Sequence, residues 1–231
     1  MAGFCYTVFM TLIGPNMEVS EADWQNMVAE LQNYSRGKFW RDYTWHASRM
    51  AVIDPEKFTS IFISPNDWVG MLRELENYRR QENWDAFASR LARMKLIDPA
   101  NSNDIEINER QWQGIIDVLK KCIAQNNWTV FASHAHHMKL IDPVRSSRII
   151  FEQKAWDGMY GKLEEFRQQD IRGKFTKHAS YMKIIDPIKF KQVRISAHDW
   201  EEMADELQAK RDKNYWAAFA AQASRIKTLL N

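Results

Sequence analysis

The sequence predicts an all-α protein, an α-solenoid of about five two-helix repeats of 44 residues with truncated terminal repeats. Three features recur at that spacing without insertions: a tryptophan, a leucine and an Asp-Pro pair. The tryptophans are Trp24, Trp68, Trp112, Trp156 and Trp200, and the Asp-Pro pairs begin at Asp54, Asp98, Asp142 and Asp186. A unit copied at constant period cannot bury its apolar face alone, so we expect the copies to stack side by side.

The repeat frame places all 231 residues in a single array. A half repeat (1–19) and a C-terminal helix pair (196–231) flank four full repeats, which span 20–63, 64–107, 108–151 and 152–195. The apolar start of the chain has the character of a short signal peptide, but it lacks basic residues. Tyr6 and Phe9 also fit the repeat frame, which favours a half repeat over a cleaved signal.

Each repeat is predicted to begin with a helix that is marked by a capping residue. Ser64, for example, follows Ile63 and stands four positions before Trp68. Serine accepts a hydrogen bond from a free backbone N–H, and the apolar residue before it packs on the tryptophan as a hydrophobic staple. Apolar residues spaced 3, 4 and 3 apart then predict one buried stripe along the helix. Three recurring glycines inside these helices predict a close approach of another helix: Gly70, Gly114 and Gly158.

The second helix of each repeat is predicted to start near a further tryptophan, such as Trp84, and to end in Ile-Asp-Pro. Proline cannot continue a helix, but it suits the first position of a new turn that an aspartate caps. A link of about eight residues follows, with alternating apolar positions such as Ile105 and Ile107. We expect no proper sheet from these short segments.

This period and this helix pairing resemble the HEAT and armadillo arrays. The resemblance covers nearly the whole chain and implies a stacked helical scaffold of that broad class. The tryptophan staple and the Ile-Asp-Pro ending are not hallmarks of either family. No functional residue is therefore carried over from them.

Composition narrows the function classes. The net charge is only +2, from 32 basic and 30 acidic residues, so nucleic-acid binding would need a local basic patch. Cys5 and Cys122 are interpreted as reduced thiols of a cytoplasmic protein, and no apolar run approaches a membrane span. The chain carries no nucleotide-binding or hydrolase motif, so the prediction is a protein without catalytic residues and without a cofactor.

One face of the second helices is the candidate binding surface. Fifteen positions on this face contain no acidic residue, although acids and bases nearly balance over the chain. Arginine and aromatic side chains are enriched at binding hot spots, so we expect this stripe to hold an anionic or mixed partner surface. The alternative is a merely solvated face. The candidate partner-binding residues are Trp45, His46, Arg49, Arg90, Arg93, His134, His137, Lys177, His178 and Tyr181.

Four histidines raise the question of a metal site. His134, His136 and His137 lie on one helix, and His178 stands one repeat further along. Three imidazoles could reach one zinc ion, but no carboxylate or cysteine is placed as a fourth ligand and the spacing matches no standard motif. The prediction is therefore that no metal binds.

Three functions remain open from the sequence. The first is a non-enzymatic scaffold that binds a protein or peptide through the stripe, and the alternative is an RNA- or other nucleic-acid-binding repeat protein. The third is a structural subunit that associates end to end. Terminal repeats of a solenoid normally have a polar outer face, whereas the two ends of this chain are apolar. The apolar residues at the two ends are Phe4, Tyr6, Val8, Phe9, Trp216, Phe219, Ile226, Leu229 and Leu230.

Overall fold

The long helices follow one another as antiparallel pairs. The computed structural model describes residues 18–149 and 153–231, and within them the chain is all-α, with no strand. The all-α prediction is thus confirmed for the described residues. The first helices of the pairs are α1 (Glu21–Arg36), α4 (Pro65–Arg80), α7 (Glu109–Ala124), α10 (Gln153–Gln168) and α13 (Ala197–Asp212). The second helices are α2 (Trp40–Ile53), α5 (Trp84–Ile97), α8 (Trp128–Ile141), α11 (Arg172–Ile185) and α14 (Trp216–Leu230).

Helix starts agree with the capping residues of the sequence. Ser20, Ser64 and Ser196 each form a capping box with an aspartate three residues later, which satisfies two backbone donors at the helix start. Each Asp-Pro pair begins a short helix, with the aspartate as N-cap and the proline in its first turn. These short helices are α3 (Pro55–Thr59), α6 (Pro99–Asn103), α9 (Pro143–Ser147) and α12 (Pro187–Phe190).

The recurring glycines make room for tryptophans. A Cβ atom on Gly70 would lie 2.3 Å from the ring of Trp40, and one on Gly114 would lie 2.4 Å from Trp84. The close approach predicted for these glycines is confirmed, because the indoles of Trp40, Trp84 and Trp128 each rest on the first helix of the next pair. Where Arg172 replaces the tryptophan, Glu202 replaces the glycine, and the two side chains form a salt bridge of 2.9 Å.

Gly114→Ala is therefore expected to lower the free energy of unfolding by about 2 kcal/mol, since the added methyl group overpacks the contact with Trp84. Gly161→Ala is the matched control, because a Cβ at Gly161 meets no atom within 4 Å. That control should stabilise the helix by about 1 kcal/mol, because alanine has a higher helix propensity than glycine by about that amount. Urea unfolding of both variants measures the two effects, and changes of the same sign would contradict the packing argument.

The second helices close into a ring. Along the chain α2 contacts α5, α5 contacts α8, α8 contacts α11 and α11 contacts α14, and α14 then contacts α2 as extensively as any neighbouring pair. The first helices lie outside this ring, each against its own second helix and the preceding one, and α1 lies in the same way on α14. Neighbouring second helices run parallel: near the C-terminal ends of α11 and α14, Lys183 donates to the carbonyl of Leu229 at 2.7 Å.

The closing contact reproduces an internal one. Arg167 donates from Nε to Asp199 Oδ1 at 3.1 Å and from Nη2 to the carbonyl of Arg194 at 2.6 Å. At the closure, Arg211 donates from Nε to Asp23 Oδ1 at 3.1 Å and from Nη2 to the carbonyl of Glu18 at 2.8 Å. The two ends are thus joined by the same interaction that joins α10 to α13.

The contact of α14 with α2 joins the first and last described helix pairs, which an open solenoid would leave apart. Phe219, Ile226 and Leu229 of the last helix, which were interpreted as a surface for self-association, are buried in the core. Their burial is what closure requires, because α14 packs between α11 and α2. The apolar residues Phe4, Tyr6, Val8 and Phe9 lie outside the described residues.

Candidate binding site on the ring axis

One column of the predicted stripe, made of the residues at the same position in successive second helices, is buried. His46, His134 and His178 each place Nε2 at 2.8 to 2.9 Å from a main-chain carbonyl of the first helix in the same pair. These rings donate to Met27, Ile115 and Met159 and so tie the two helices together. All three histidines are buried, so the prediction that they lie on an exposed face is wrong.

Arg90 belongs to the same column and is only 2% exposed. Its guanidinium bonds the carboxylate of Glu74 and donates to the carbonyl of Trp40 at 2.9 Å. A buried charge persists when it is paired and hydrogen-bonded, as this one is. The prediction of an exposed Arg90 is therefore wrong as well, and the residue joins α5 to α4 and α2.

The remaining stripe residues turn toward the ring axis. The charge of Arg49 on α2 acts on Arg93 of α5, His136 of α8, Tyr181 of α11 and Arg225 of α14. A side chain that reaches all four other members of a five-helix ring must lie close to its centre. Within this ring, His137 and Tyr181 are also buried, so they too lie off any exposed face, contrary to the prediction.

The rings at the centre are packed against one another. His136 stacks on Tyr181 with centroids 4.5 Å apart and an interplanar angle of 25°. The centroid of His137 lies 5.3 Å from that of His136. We call the group the axial cluster; its members are Arg49, Arg93, His136, His137, Tyr181 and Arg225. His136 and Arg225 were not among the candidate residues, although Arg225 occupies the same repeat position as Arg49 and Arg93, and that shared position was the available signal.

The cationic groups of the axial cluster lack a bonded carboxylate. Among the described residues, no ion pair joins Arg49, Arg93 or Arg225 to an acid. The charge of Asp85 acts on Arg93 and that of Glu206 on Arg225, but Asp85 bonds His134 at 3.1 Å and Glu206 bonds Lys210. The other carboxylate oxygen of Glu206, Oε2, has no hydrogen-bond partner. The buried polar atoms without a hydrogen-bond partner include Nε of Arg49 and Arg225 and Nδ1 of His136 and His137. Such atoms are costly when buried, and an anion on the axis would satisfy them.

The same charge excess appears in the pKa values. Burial, together with the charges of Arg49 and Arg93, lowers the pKa of His136 to about 3. Burial and the charge of Arg49 also lower the pKa values of Arg93 and Arg225 to about 10. Burial raises the pKa of Tyr181, but the charges of Arg49, Lys177 and Arg225 outweigh it and bring the value down to about 8. The lowered pKa of Tyr181 has the direction expected of excess positive charge, since burial alone would raise it.

A cleft leads from the surface toward the axial cluster. It has a volume of about 370 Å³, and we call it the vestibule; its walls are Tyr34, Arg41, Asp42, Trp45, Arg93 and Ala217. Trp45 is half-buried, and the guanidinium of Arg49 lies 5.7 Å from its ring centroid. Lys177 is also half-buried, with Nζ 5.8 Å from the ring of Tyr181. Trp45, Arg49, Arg93 and Lys177 are thus the predicted residues that the structure leaves accessible near the axis.

The histidines are not arranged around a common point. Both ring nitrogens of His134 face oxygen atoms, the carbonyl of Ile115 and the carboxylate of Asp85. His136 and His137 instead face Tyr181. In the described part of the chain, no group of three or more histidine, cysteine, aspartate or glutamate side chains could hold a metal ion.

The fold and the site define a class, an all-α protein of packed helices with a basic cluster at its centre. None of the described helices is long and apolar enough to cross a membrane. No protein-family model, curated protein or solved structure matches the chain.

Proposed function

We propose that this protein is a non-enzymatic binding protein: a closed ring of five copies of one two-helix unit that holds an acidic segment of a protein or peptide partner. The observation that carries the proposal is the convergence of Arg49, Arg93 and Arg225 on the ring axis without a bonded carboxylate. A partner carboxylate would supply the missing counter-charge. Charge-assisted hydrogen bonds of this kind are about twice as strong as neutral ones.

The size of the vestibule favours an extended peptide. About 370 Å³ admits an acidic side chain or a chain terminus, and the volume falls in the range of ordinary ligand sites. Trp45 offers an apolar surface at the entrance, and Arg93 lies at the inner wall. An acidic side chain that enters past Trp45 would therefore reach guanidinium groups.

The chemistry of the arginines supports binding over catalysis. With pKa values of about 10, Arg93 and Arg225 keep their protons near neutral pH. Fixed cations hold and orient anions, whereas general acid–base catalysis needs a pKa near the working pH. The arginines of the axial cluster therefore suit the binding of an anion.

Arg49→Gln is expected to weaken the binding of a fluorescently labelled poly-glutamate peptide by roughly tenfold or more, because it removes one charge partner of a largely desolvated site. The same substitution should raise the thermal stability of the free protein, since it relieves repulsion with Arg93 and Arg225. Fluorescence anisotropy measures the first effect and calorimetry the second. Weaker binding together with higher stability indicates that a binding group has been lost, whereas a poorly folded variant would lose both affinity and stability.

Arg41→Gln is the matched control for this experiment. Arg41 also lines the vestibule, but its side chain is 72% exposed and pairs with the neighbouring Asp42 at 3.6 Å. Exposed ion pairs contribute little, so the affinity of this variant should change by less than about threefold. Equal affinities of the wild type and Arg49→Gln for the peptide would contradict the proposal.

The same anisotropy assay, with single-stranded RNA as the competitor, tests the alternative of a nucleic-acid partner. Phosphate binding releases counterions, so the affinity for a single-stranded RNA would fall steeply with salt. A peptide that also contacts Trp45 would lose less affinity over the same salt range. Displacement of the peptide by RNA at low salt, together with a steep salt dependence, would favour the RNA alternative.

A further inference from the structure

Two arginines occupy equivalent pockets between neighbouring helix pairs. The guanidinium of Arg167 bonds Asp199 and the carbonyl of Arg194, and its Cζ lies 4.9 Å from the ring of Phe175. Arg211 repeats this arrangement with Asp23, the carbonyl of Glu18 and the ring of Phe219 at 5.2 Å. The fold thus contains a recurrent guanidinium receptor made of a buried carboxylate, a carbonyl and an aromatic ring.

The other pockets show how the receptor varies. Arg79 keeps the carbonyl contact, to Glu106 at 3.3 Å, and the ring contact, to Phe87 at 5.2 Å, while Gln111 stands at the carboxylate position. Between α7 and α10 both charged positions are apolar, Ile123 and Ala155. In the first of these pockets Arg79 pairs with Glu76 of its own helix at 2.7 Å instead, and in the second neither charged position carries a charge.

The pocket between α1 and α4 departs from this rule. Ser35 stands at the arginine position, but the three receptor groups remain: Asp67 at the carboxylate position, Phe62 at the carbonyl position and Tyr43 at the ring position. Asp67 is 6% exposed, and its Oδ1 atom accepts from Ser35 Oγ at 2.5 Å. In the filled pockets, this same carboxylate oxygen accepts from arginine Nε. Burial and the negative charge of Asp67 raise the pKa of Tyr43, which places the phenol beside the carboxylate.

A side-chain-sized space remains where the arginine is missing. The cavity beside Ser35 measures about 440 Å³, and its walls include Trp24, Ser35, Tyr43, Phe62 and Asp67. The cavity thus lies beside the position that an arginine side chain occupies in the two filled pockets.

We propose that this cavity binds a guanidinium group, presented by an arginine side chain of a peptide or by a free guanidinium compound. Asp67 Oδ1 would accept from the guanidinium as Asp199 and Asp23 accept from Arg167 and Arg211, while the main-chain carbonyl of Phe62 takes a second N–H. The proposal does not depend on the axial cluster, which binds the opposite charge on a different face of the helices.

Arginine is expected to bind in strong preference to lysine. The planar guanidinium presents several N–H donors in a fixed fork, so it can bond a carboxylate and a carbonyl at once while its face lies on an aromatic ring. An ammonium group is a point charge that cannot repeat this geometry. The side chain of Phe62 is 81% exposed at the rim, where the backbone of a bound peptide would contact it.

The test is a titration with N-acetylarginine amide, followed by the indole N–H resonance of Trp24, which lines the cavity. The lysine counterpart of this probe should bind at least roughly tenfold more weakly, and Asp67→Asn should weaken arginine binding by a similar factor. A Gly-Arg-Gly peptide is the second arm. Tighter binding of the peptide than of the amide identifies a protein partner as the source of the guanidinium, and equal binding identifies a small molecule.

Ser35→Arg is the decisive variant, because it restores the side chain found at positions 167 and 211. It should abolish binding of the arginine probe and raise the melting temperature, which keeps the test valid even if Asp67→Asn unfolds the capping box. Arg49→Gln should leave arginine binding unchanged. Equal binding of the arginine and lysine probes to the wild type, or undiminished arginine binding by Ser35→Arg, would overturn the proposal.

Discussion

The free energy of unfolding should fall by several kcal/mol when the pH is lowered from roughly 7 to about 5. Four buried histidines have pKa values below the usual 6.5, chiefly because burial disfavours the charged imidazole: His46, His136, His137 and His178. In the unfolded chain they regain ordinary pKa values and take up protons below about pH 6.5. The unfolded state therefore binds more protons in this range, so stability is lost as the pH falls.

The size of the effect follows from the shifts. With folded pKa values of about 3 for His136 and about 4 for His178, neither residue is protonated in the folded state at pH 5. Each then contributes a loss of about 2 kcal/mol between pH 6.5 and pH 5, at about 1.4 kcal/mol per unit. Lowered carboxylate pKa values, such as that of Asp85, act only at lower pH and do not enter this window.

Urea unfolding at several pH values measures this slope. His136→Phe keeps an aromatic ring against Tyr181 and should reduce the slope by the share of one histidine. His198→Gln is the control, because the side chain of His198 is 76% exposed and its removal leaves all four buried imidazoles in place. A midpoint that stays constant from neutral pH to about pH 5 would show that these rings can be protonated in the folded state.

Local structure was largely predictable from the sequence, because each signal acts within a few residues. Ser64 with Asp67 marks a helix start, Asp98 with Pro99 marks the end of one helix and the start of the next, and Gly114 marks a close contact. Ring closure was not predicted, because it depends on the small rotation from one helix pair to the next, which the period does not specify. Complementary residues at the two ends, Arg211 and Asp23, were the available signal.

The candidate site was predicted only in part for a different reason. Residue type does not distinguish a buried arginine with a remote partner from an exposed one, so Arg90 looked equivalent to Arg49. Glu74, which pairs with Arg90, lies on another helix, and no short-range pattern connects the two. Positions 46 and 49 are three residues apart on one helix, so their side chains differ in direction by about 60°. That angle is enough to turn His46 toward the outer helices and Arg49 toward the axis.

Arg211→Ala is expected to cost about 3 kcal/mol of stability, because it leaves the buried carboxylate of Asp23 without its charged partner. The side chains of Arg211 and Asp23 are 21% and 6% exposed, so solvent screens the pair only weakly. The guanidinium also covers the ring of Phe219 at 5.2 Å, and that packing is lost with it. Chemical unfolding at neutral pH measures the change.

Arg167→Ala is the matched variant, because Arg167 makes the same contacts with Asp199 inside the array. In a closed ring the two substitutions break equivalent interfaces, so each should cost about 3 kcal/mol, with a smaller extra cost for Arg167→Ala from its ion pair with Glu164. In an open array Arg211 would have no partner on the first helix, and its replacement would be nearly neutral while Arg167→Ala stayed costly. Comparable costs would therefore show that the first and last helix pairs meet in solution, and a near-neutral Arg211→Ala would show that they do not.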